Sequence, residues 1–367
     1  MSKIAQWYRN RRVLITGHTG FKGSWLTLWL HHWGARVSGL ALPPATQPSL
    51  FHVLKLPTRM AGHQEGDVGN MAALRHAVET SDAEVIFHLA AQALVRPGYQ
   101  DPVTTFHTNV MGVVNLLEVV RQRQRPCVVI VVTSDKCYAN HEHVWGYREC
   151  DPMGGDDPYS ASKGAAELVV SAYRHSFFPP GRISGHGVAL ASVRAGNVVG
   201  GGDWAKDRLV PDIVRAVSSG SSVFLRNPKA VRPWQHVLDP LHGYLVLGER
   251  LANAQDQATT LCSGWNFAPF NQDTSVTVGE ITQRFTELFS APPWQFDAGH
   301  HPHEAHTLRL SIDKALNGLP WHPVWNVQTT IEHTARWYQN HQTNPEKMLT
   351  FSLDQIDTFL HDSRRTP

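Results

Sequence analysis

The strand-like stretch Arg12-Val13-Leu14-Ile15-Thr16 runs into the turn Gly17-His18-Thr19-Gly20-Phe21-Lys22-Gly23, and a helical pattern follows over residues 24–33. A buried strand, a glycine turn and a helix in this order are typical of α/β folds that bind dinucleotides. The glycines let backbone amides approach a pyrophosphate, which then lies at the positive end of the helix. The Gly-x-x-Gly-x-x-Gly spacing alone is weak evidence for a cofactor site, and its position between a strand and a helix makes it informative. The alternative interpretation is a tight turn that binds no ligand. We predict cofactor contacts at Gly17, Thr19, Gly20, Phe21, Lys22 and Gly23.

The rest of the chain alternates between strand and helix patterns. This alternation predicts an α/β fold with a Rossmann-type, doubly wound parallel sheet and right-handed crossovers. We predict strands at residues 36–41, 84–89, 127–133, 187–193 and 259–262, a loop at 264–267, and helices at 101–125, 207–218, 239–250, 276–289 and 327–340. We expect residues 1–193 to form the dinucleotide-binding domain, with 231–262 returning to it. Residues 194–230 and 263–367 are expected to form a smaller, interwoven substrate domain.

Further cofactor residues are expected where the predicted strands end. The second strand ends in Leu40-Ala41-Leu42-Pro43-Pro44, without the acidic residue that holds an adenosine ribose in many such folds. This position therefore leaves the choice between NAD and NADP open. Asp67 follows the third strand and is a candidate for the adenine amino group, with a simple loop aspartate as the alternative. The other predicted cofactor contacts are Val68, Leu89, Ala90, Ala91, Thr108 and Thr133.

Composition excludes several classes of protein. The 367 residues include 33 Lys and Arg and 31 Asp and Glu, so the net charge of +2 gives no strong field for nucleic acid or a membrane. Four scattered cysteines without a Cys-x-x-Cys pair are typical of free thiols in a reducing compartment. With no signal-peptide pattern at the N-terminus, a cytoplasmic protein is expected. A histidine-rich run at 299–306 does not have the spacing of a metal site, and we expect no metal.

The segment Pro158-Tyr159-Ser160-Ala161-Ser162-Lys163 predicts the start of a second important helix. Asp157 is a suitable N-cap, and proline is favoured at the first helical position. Tyr159 and Lys163 are four residues apart and share a helical face. A nearby ammonium group favours the phenolate form of a tyrosine, which is then a base for a sugar hydroxyl. The alternative is a surface helix on which these two residues have no special role.

A second set of acid and base groups follows the strand predicted at 127–133. Ser134, Asp135 and Lys136 come directly after it, at the strand end where open α/β sheets bind ligands. Hydride transfer alone requires a hydroxyl and a Tyr/Lys pair, so an additional carboxyl group and amine point to a further proton transfer. The alternative is an ion pair within a turn.

Together these motifs resemble those of the extended short-chain dehydrogenases/reductases, and within them the nucleotide-sugar 4,6-dehydratases. The resemblance covers nearly the whole chain. The glycine turn and the Tyr159/Lys163 pair are shared by the whole superfamily, whereas Ser134-Asp135-Lys136 and Gly200-Gly201-Gly202-Asp203-Trp204 are more specific. Related dTDP-glucose enzymes have Thr-Asp-Glu where this chain has Ser134-Asp135-Lys136, so the resemblance favours the CDP-glucose branch. It implies an internal redox cycle on NAD that converts CDP-glucose to CDP-4-keto-6-deoxyglucose and water.

The resemblance also implies roles for individual residues. Tyr159, with Lys163 and Ser134, removes the proton of the hydroxyl on sugar carbon 4. Asp135 protonates the hydroxyl that leaves carbon 6, and Lys136 is the expected base at carbon 5. Desolvation and nearby Lys163 favour the neutral amine that a base requires, whereas Asp135 favours the charged form. Expected substrate contacts are Gln92, Asn109, Ser134, Asn197, Arg208 and Arg232.

Other functions stay open at this stage. Arg208 and Arg232 are expected near the substrate diphosphate, and a surface salt bridge is the alternative for each. An epimerase or a dTDP- or UDP-sugar dehydratase on the same scaffold is the nearest alternative function. A non-catalytic dinucleotide sensor is an alternative of a different class. The resemblance further suggests a homodimer, or a tetramer, packed through helices at 103–120 and 162–174, and a place in deoxysugar synthesis for lipopolysaccharide O-antigen.

Overall fold

A seven-stranded parallel sheet lies at the centre of the chain. In this computed structural model, which describes residues 2–270, 276–297, 299 and 308–365, its strands are β1 (Arg12–Thr16), β2 (Arg36–Ala41), β3 (Gly62–Glu65), β4 (Val85–His88), β5 (Cys127–Val132), β6 (Val188–Arg194) and β10 (Gly264–Asn266). Their spatial order is β10-β6-β5-β4-β1-β2-β3. The order reverses direction beside β1, which pairs with both β2 and β4. Ligands bind at the carboxyl ends of strands at such a switch point.

Helices cover both faces of this sheet. They are α1 (Lys3–Tyr8), α2 (Phe21–His32), α3 (Leu50–Val53), α4 (Met71–Ser81), α5 (Val95–Gln100), α6 (Pro102–Phe106), α7 (Gly112–Arg123), α8 (Pro158–Ser176), α9 (Ile183–His186), α10 (Leu209–Ser218), α11 (Leu238–Ala252), α12 (Ala258–Leu261), α13 (Val278–Leu288), α14 (Asp313–Gly318), α15 (Val327–Thr343) and α16 (Met348–Asp362). Short parallel pairs join β7 (Val198–Val199) to β9 (Gln235–His236), and β8 (Phe224–Leu225) to β11 (Gln295–Phe296). The predicted α/β class with a doubly wound parallel sheet is confirmed.

Two apolar clusters hold the layers together. On one face, Trp25 and Trp29 of α2 are buried with residues of α11, α15 and α16. On the other face, Leu116 and Val120 of α7 pack with residues of α4 and α8. The β5 strand is buried along its whole length because helices cover both of its sides. Burial on both faces fixes the strand ends rigidly, which is the requirement for a precise site.

The sheet edge near residue 262 differs from the sequence prediction. Residues 259–262, predicted as a strand, lie mainly in the helical turn α12, and the predicted loop at 264–267 contains strand β10. Ala258 and Leu261 are buried three residues apart, which suits one helical turn rather than a strand. The threonines at 259 and 260 suggested a strand, but β10 is the segment that pairs with β6, placing Asn266 beside Arg194.

The helix predicted over residues 101–125 is interrupted. A single π-helical turn, His107–Met111, separates α6 from α7. Such turns are rare and occur often at functional sites, and no residue type in this segment signals one. The turn brings Asn109 into the buried region at the end of β4, where its side chain is 2% exposed.

Candidate active site

The glycine turn between β1 and α2 has the geometry of an anion cradle. Gly17 has a φ of +75°, and a Cβ atom there would lie 2.6 Å from the backbone nitrogen of Ala90. A Cβ atom on Gly23 would lie 2.1 Å from the Gly17 carbonyl oxygen, so both glycines are required for close packing. Gly20 caps α2 without a side-chain hydrogen bond, which leaves backbone N–H groups of the first turn available. This arrangement fits a cofactor pyrophosphate.

Several predicted cofactor residues use their side chains to hold the surrounding loops. Thr19 Oγ1 donates to the carbonyl oxygen of Leu42 at 2.8 Å, and Asp67 Oδ1 accepts from the backbone of Gly69 at 2.8 Å. Thr133 Oγ1 donates to Glu167 Oε1 at 2.5 Å. These bonds hold the loops around the glycine turn in place, and the cofactor contacts of the three residues stay a prediction. Val68 is buried, and the other predicted residues are half-buried near this edge: Phe21, Leu89, Ala90, Ala91 and Thr108.

A neutral imidazole, that of His18, lies beside the carboxyl-terminal half of β2. His18 Nε2 lies 2.7 Å from His63 Nδ1, and burial lowers the pKa of His18 to about 3. A Cβ atom on Gly39 would lie 2.3 Å from His18 Nδ1, so the imidazole fills the space beside the strand. A neutral imidazole supplies no charge for a ribose 2′-phosphate, and the position therefore suits NAD better than NADP.

Helix α8 places the predicted phenol and amine inside the protein. Asp157 Oδ1 accepts from the backbone of Ser160 at 3.0 Å, as expected for the N-cap of a helix that begins at Pro158. Tyr159 and Lys163 are only 8% and 5% exposed. The local structure around this pair is therefore the one that the sequence predicts.

The electrostatics of the pair differ from the expectation. Burial raises the pKa of Tyr159 to about 12, although a hydrogen bond with Ser134 and the charge of Arg208 lower it. Burial also lowers the pKa of Lys163 to about 8. The predicted net shift of the phenol towards phenolate is thus reversed, because burial outweighs the nearby positive charge.

A hydrogen-bonded chain connects the phenol to the carboxyl group after β5. Ser134 Oγ donates to Asp135 Oδ1 at 2.8 Å, and the same serine is hydrogen-bonded with Tyr159. Asp135 is 3% exposed, and its Oδ2 atom is buried without a hydrogen-bond partner among the described residues. A buried oxygen without a partner is costly unless a ligand completes it. Gly196 leaves room for this carboxyl group, since a Cβ atom there would lie 2.0 Å from Oδ2.

The two lysines near this chain differ in their surroundings. The side chain of Lys136 is exposed, so the desolvation expected for it is absent. Lys22 of α2 is half-buried, and burial lowers its pKa to about 8 while the charge of Asp135 opposes that shift. Lys163 and Arg208 act on Lys22 as well, so this amine belongs to the same charged cluster. The sequence signal for this role of Lys22 is its position between two glycines of the turn, and the glycine pattern by itself indicates only a cofactor contact.

Two of the predicted substrate contacts have their side chains engaged within the protein. Asn109 Nδ2 donates to the Gln92 carbonyl oxygen at 3.0 Å and to Ser162 Oγ at 2.8 Å. Gln92 donates to the carbonyl oxygen of Leu94 and to Thr105 Oγ1. These bonds join the loop after β4 to α8, so both side chains help to position that loop, and their contacts with substrate stay a prediction.

The other predicted substrate residues surround the opposite side of the cleft. Arg208 Nη1 donates to Asp203 Oδ2 at 2.8 Å, and the charge of this arginine reaches Tyr159. Asn197 is half-buried and has a φ of +46°. Arg232 donates to the Val231 carbonyl oxygen at 3.0 Å. The charge of Arg208 acts on both Tyr159 and Lys22, which connects this arginine to the catalytic cluster.

A buried ion pair beneath the catalytic turn was not predicted. Arg194 Nε and Nη2 donate to Glu167 Oε1 and Oε2 at 2.9 and 2.8 Å. Glu167 also accepts from Thr133 and from Ser192 Oγ, so all its bonds lie between α8 and the ends of β5 and β6. Glu167 follows Lys163 by four residues, and this helical spacing is the only sequence signal for it.

The described residues were compared with the features of metal sites and membrane-spanning helices. Within them, no group of three or more His, Cys, Asp or Glu side chains could hold a metal ion. The histidine-rich run falls almost wholly at residues 300–306, outside the described residues. None of the described helices is long and apolar enough to cross a membrane.

Comparison with known proteins identifies the family. A family model described as GDP-mannose 4,6 dehydratase matches residues 14–334. The chain belongs to this family. This 4,6-dehydratase family member is 48% identical over 359 residues to CDP-glucose 4,6-dehydratase from Salmonella typhimurium, with 98% of each chain covered. It is 24% identical over 359 residues to dTDP-glucose 4,6-dehydratase from Xanthomonas campestris pv. campestris, covering 94% of this chain and 98% of that one.

The solved structures agree in fold. A dTDP-glucose 4,6-dehydratase from Streptomyces venezuelae, solved with NAD bound, superposes with a TM-score of 0.75 at 21% identity, covering 92% of this chain and 99% of that one. The UDP-glucose 4-epimerase from Thermotoga maritima gives a TM-score of 0.75 at 19% identity, covering 90% of this chain and 99% of that one. The resemblance to nucleotide-sugar 4,6-dehydratases that the sequence motifs indicated is confirmed.

Proposed function

We propose that this protein is a hydro-lyase that converts CDP-glucose to CDP-4-keto-6-deoxyglucose and water, with NAD as a cofactor that is regenerated in each turnover. The observation that carries this proposal is the chain Tyr159–Ser134–Asp135, which joins a phenol to a carboxyl group with an unpartnered buried oxygen. The 48% identity to a CDP-glucose 4,6-dehydratase supports the choice of nucleotide.

The residues around the glycine turn are suited to hold NAD. Backbone amides at the start of α2 would face its pyrophosphate, and fully buried His18 packs against Gly39 of β2, the strand at whose end such folds hold the adenosine ribose. When bound, NAD supplies a hydride acceptor for sugar carbon 4 and a hydride donor for carbon 6. Its oxidised ring also carries a positive charge, which would lower the pKa of buried Tyr159 towards the range needed by a base.

Each proton transfer has a proposed residue. Tyr159 accepts the proton of the carbon-4 hydroxyl, and Ser134 relays hydrogen bonding between this phenol and Asp135. Asp135 gives a proton to the hydroxyl that leaves carbon 6, using the Oδ2 atom that has no protein partner among the described residues. Lys136 is the proposed base that takes the proton of carbon 5 as water leaves and returns it when hydride reaches carbon 6. The proton that Tyr159 accepted passes through Ser134 to Asp135 and restores the acid for the next turnover.

The remaining parts of the proposal concern substrate and assembly. We propose that residues 194–230 and 263–367 form the nucleotide-sugar side of the cleft, apart from β10, which belongs to the central sheet, and α16, which packs with α2. Arg208 and Arg232 are proposed near the diphosphate and Asn197 near the sugar. We also propose a cytoplasmic homodimer. Exposed Val103, Phe106 and Met111 on the segment from α6 to α7 support such an interface, since monomers rarely expose adjacent large apolar side chains.

One assay tests the function. The protein with NAD is offered CDP-, dTDP- and UDP-glucose separately, and the products are examined by mass spectrometry. We expect loss of one water from CDP-glucose. An epimerase would leave the mass unchanged, a sensor would consume no substrate, and dehydration of another nucleotide sugar in preference would contradict the assignment of CDP-glucose.

A further inference from the structure

A second cavity lies apart from the catalytic cleft. It has a volume of about 580 Å³ and opens between the outer side of α8, the carboxyl-terminal part of β6, the edge strand β10 and α14. Neither Tyr159 nor Asp135 nor any residue of the glycine turn lines it. Its size is within the range of sites that bind small molecules.

Arg174, on the last turn of α8, lines this cavity without a hydrogen bond or ion pair to a carboxylate among the described residues. Its Nη1 atom is buried and has no hydrogen-bond partner among the described residues. Burial lowers the pKa of this guanidinium, and the charge of Glu167 opposes that shift without cancelling it. A buried cationic donor without an acceptor is costly, and an anion in the cavity would remove that cost.

Lys314 of α14 supplies a second cation to the same cavity. Its Nζ atom donates to Ser263 Oγ at 2.7 Å and to the Gly264 carbonyl oxygen at 2.6 Å, and it lies 4.4 Å from the centre of the Trp265 ring. All these partners are uncharged. The charge of Glu149 attracts this ammonium, but burial has the larger effect and lowers its pKa to about 8.

The acidic groups of the cavity are engaged by other donors. Glu167 accepts hydrogen bonds from Nε and Nη2 of Arg194. Glu149 Oε1 accepts from the backbone of Asn266 at 2.9 Å. Asp313, the third carboxylate, accepts from Ser311 Oγ at 2.8 Å. Glu149 and Glu167 attract the two cations at longer range, but within the described part of the chain neither Arg174 nor Lys314 is hydrogen-bonded to a carboxylate.

We propose that this cavity is a binding site for a small anionic metabolite bearing a phosphate or carboxylate group, held by Arg174 and Lys314. A guanidinium forms paired hydrogen bonds with either group, and an ammonium adds a point charge. The cavity also has a route to the catalytic turn, because Glu167 and Arg194 line it and Glu167 accepts from Thr133, the residue before Ser134. The proposal does not depend on the identity of the nucleotide sugar.

Isothermal titration of inorganic phosphate and of citrate into protein saturated with NAD, in separate experiments, tests the site, because bound NAD occupies the anion cradle at the glycine turn. We expect wild-type protein to bind at least one of the two anions, and the stronger binder identifies the preferred group. Arg174→Gln and Lys314→Gln should each weaken that binding about tenfold or more, since one charge-assisted hydrogen bond is worth about that factor. Arg125→Gln, at an exposed arginine outside the cavity, is the matched control and should bind as wild type.

The variants also separate this cavity from the catalytic cleft. Arg208→Gln should keep the anion affinity of the wild type, because Arg208 does not line the cavity. If Arg174→Gln does not fold, Lys314→Gln alone decides the matter. The proposal is overturned if neither anion binds wild-type protein, or if binding is lost in Arg208→Gln and kept in the cavity variants. Failure here would leave the dehydration assay unaffected.

Discussion

Replacing Gly196 with alanine should displace the Asp135 carboxyl group. A Cβ atom at this position would lie 2.0 Å from Asp135 Oδ2 and 2.4 Å from its Cγ atom. Ordinary contact requires at least 3.4 Å, so the carboxyl group must move by about 1.4 Å. Gly196 does not have a positive φ, so alanine introduces no backbone strain of its own. The substitution is therefore a steric probe of where this one carboxyl group lies.

The expected effect is specific to elimination. A displacement of about 1 Å at a reacting group costs roughly a hundredfold in rate, or about 2.7 kcal/mol of barrier. Under the proposed function, Gly196→Ala should lower the turnover for loss of water by that factor. Oxidation at carbon 4 depends on Tyr159 and should continue, so the nicotinamide absorbance should show that reduced cofactor accumulates.

Single-turnover measurements with CDP-glucose check both steps in one experiment. Mass spectrometry follows the loss of water, and nicotinamide absorbance follows the oxidation of the sugar. Gly185→Ala is the control, since a Cβ atom there meets nothing within 4 Å. Wild-type dehydration by Gly196→Ala would refute the reasoning, and so would an equal loss of cofactor reduction.

The remaining predictions concern the other buried charges and the proposed base. Lys163→Met should raise the stability of the protein without cofactor at pH 7 by up to about 3 kcal/mol, because the folded-state pKa of Lys163 is about 8 against 10.5 ordinarily. Wild-type stability measured in urea should accordingly rise between pH 8 and 10.5, where the unfolded chain binds the extra proton, and this rise should be smaller in the variant. Glu167→Gln should cost about 3 kcal/mol in urea denaturation by leaving buried Arg194 without its counter-ion, whereas Glu287→Gln, in a pair with Arg284 whose side chains are 50% and 42% exposed, should leave the midpoint nearly unchanged. Lys136→Ala should still reduce NAD but lose solvent hydrogen exchange at carbon 5, and retained exchange would move the base role to another group.

Much of the fold is already determined by local patterns in the sequence. The strand, glycine turn and helix around Gly17 are predicted because buried strands and helices have different apolar periods. The start of α8 at Pro158 is predicted for the same kind of reason, since its N-cap and first residue are recognisable. Where the pattern was ambiguous, at residues 258–266, pairing with β6 decided which segment is the strand.

The properties of the site are decided by the tertiary structure. The sequence shows that a cation follows Tyr159 by one helical turn, but it does not show that the phenol is buried. Burial is what raises the pKa of Tyr159 to about 12. The sequence indicates Asn109 as a site residue, but it does not indicate the π-helical turn. That turn places the Asn109 amide where it donates to Gln92 and Ser162. The sequence does not indicate the Glu167–Arg194 pair, whose members lie 27 residues apart and meet only when α8 packs on β6.

The sequence by itself determined the order of strands and helices and the types of chemical group at the strand ends, because these depend on neighbouring residues. The tertiary structure decided which of those groups are desolvated, which are already hydrogen-bonded, and which, like Asp135 Oδ2, have an oxygen without a protein partner among the described residues. These properties depend on atoms contributed by distant segments such as Gly196, whose distance from Asp135 is set by the register between β5 and β6.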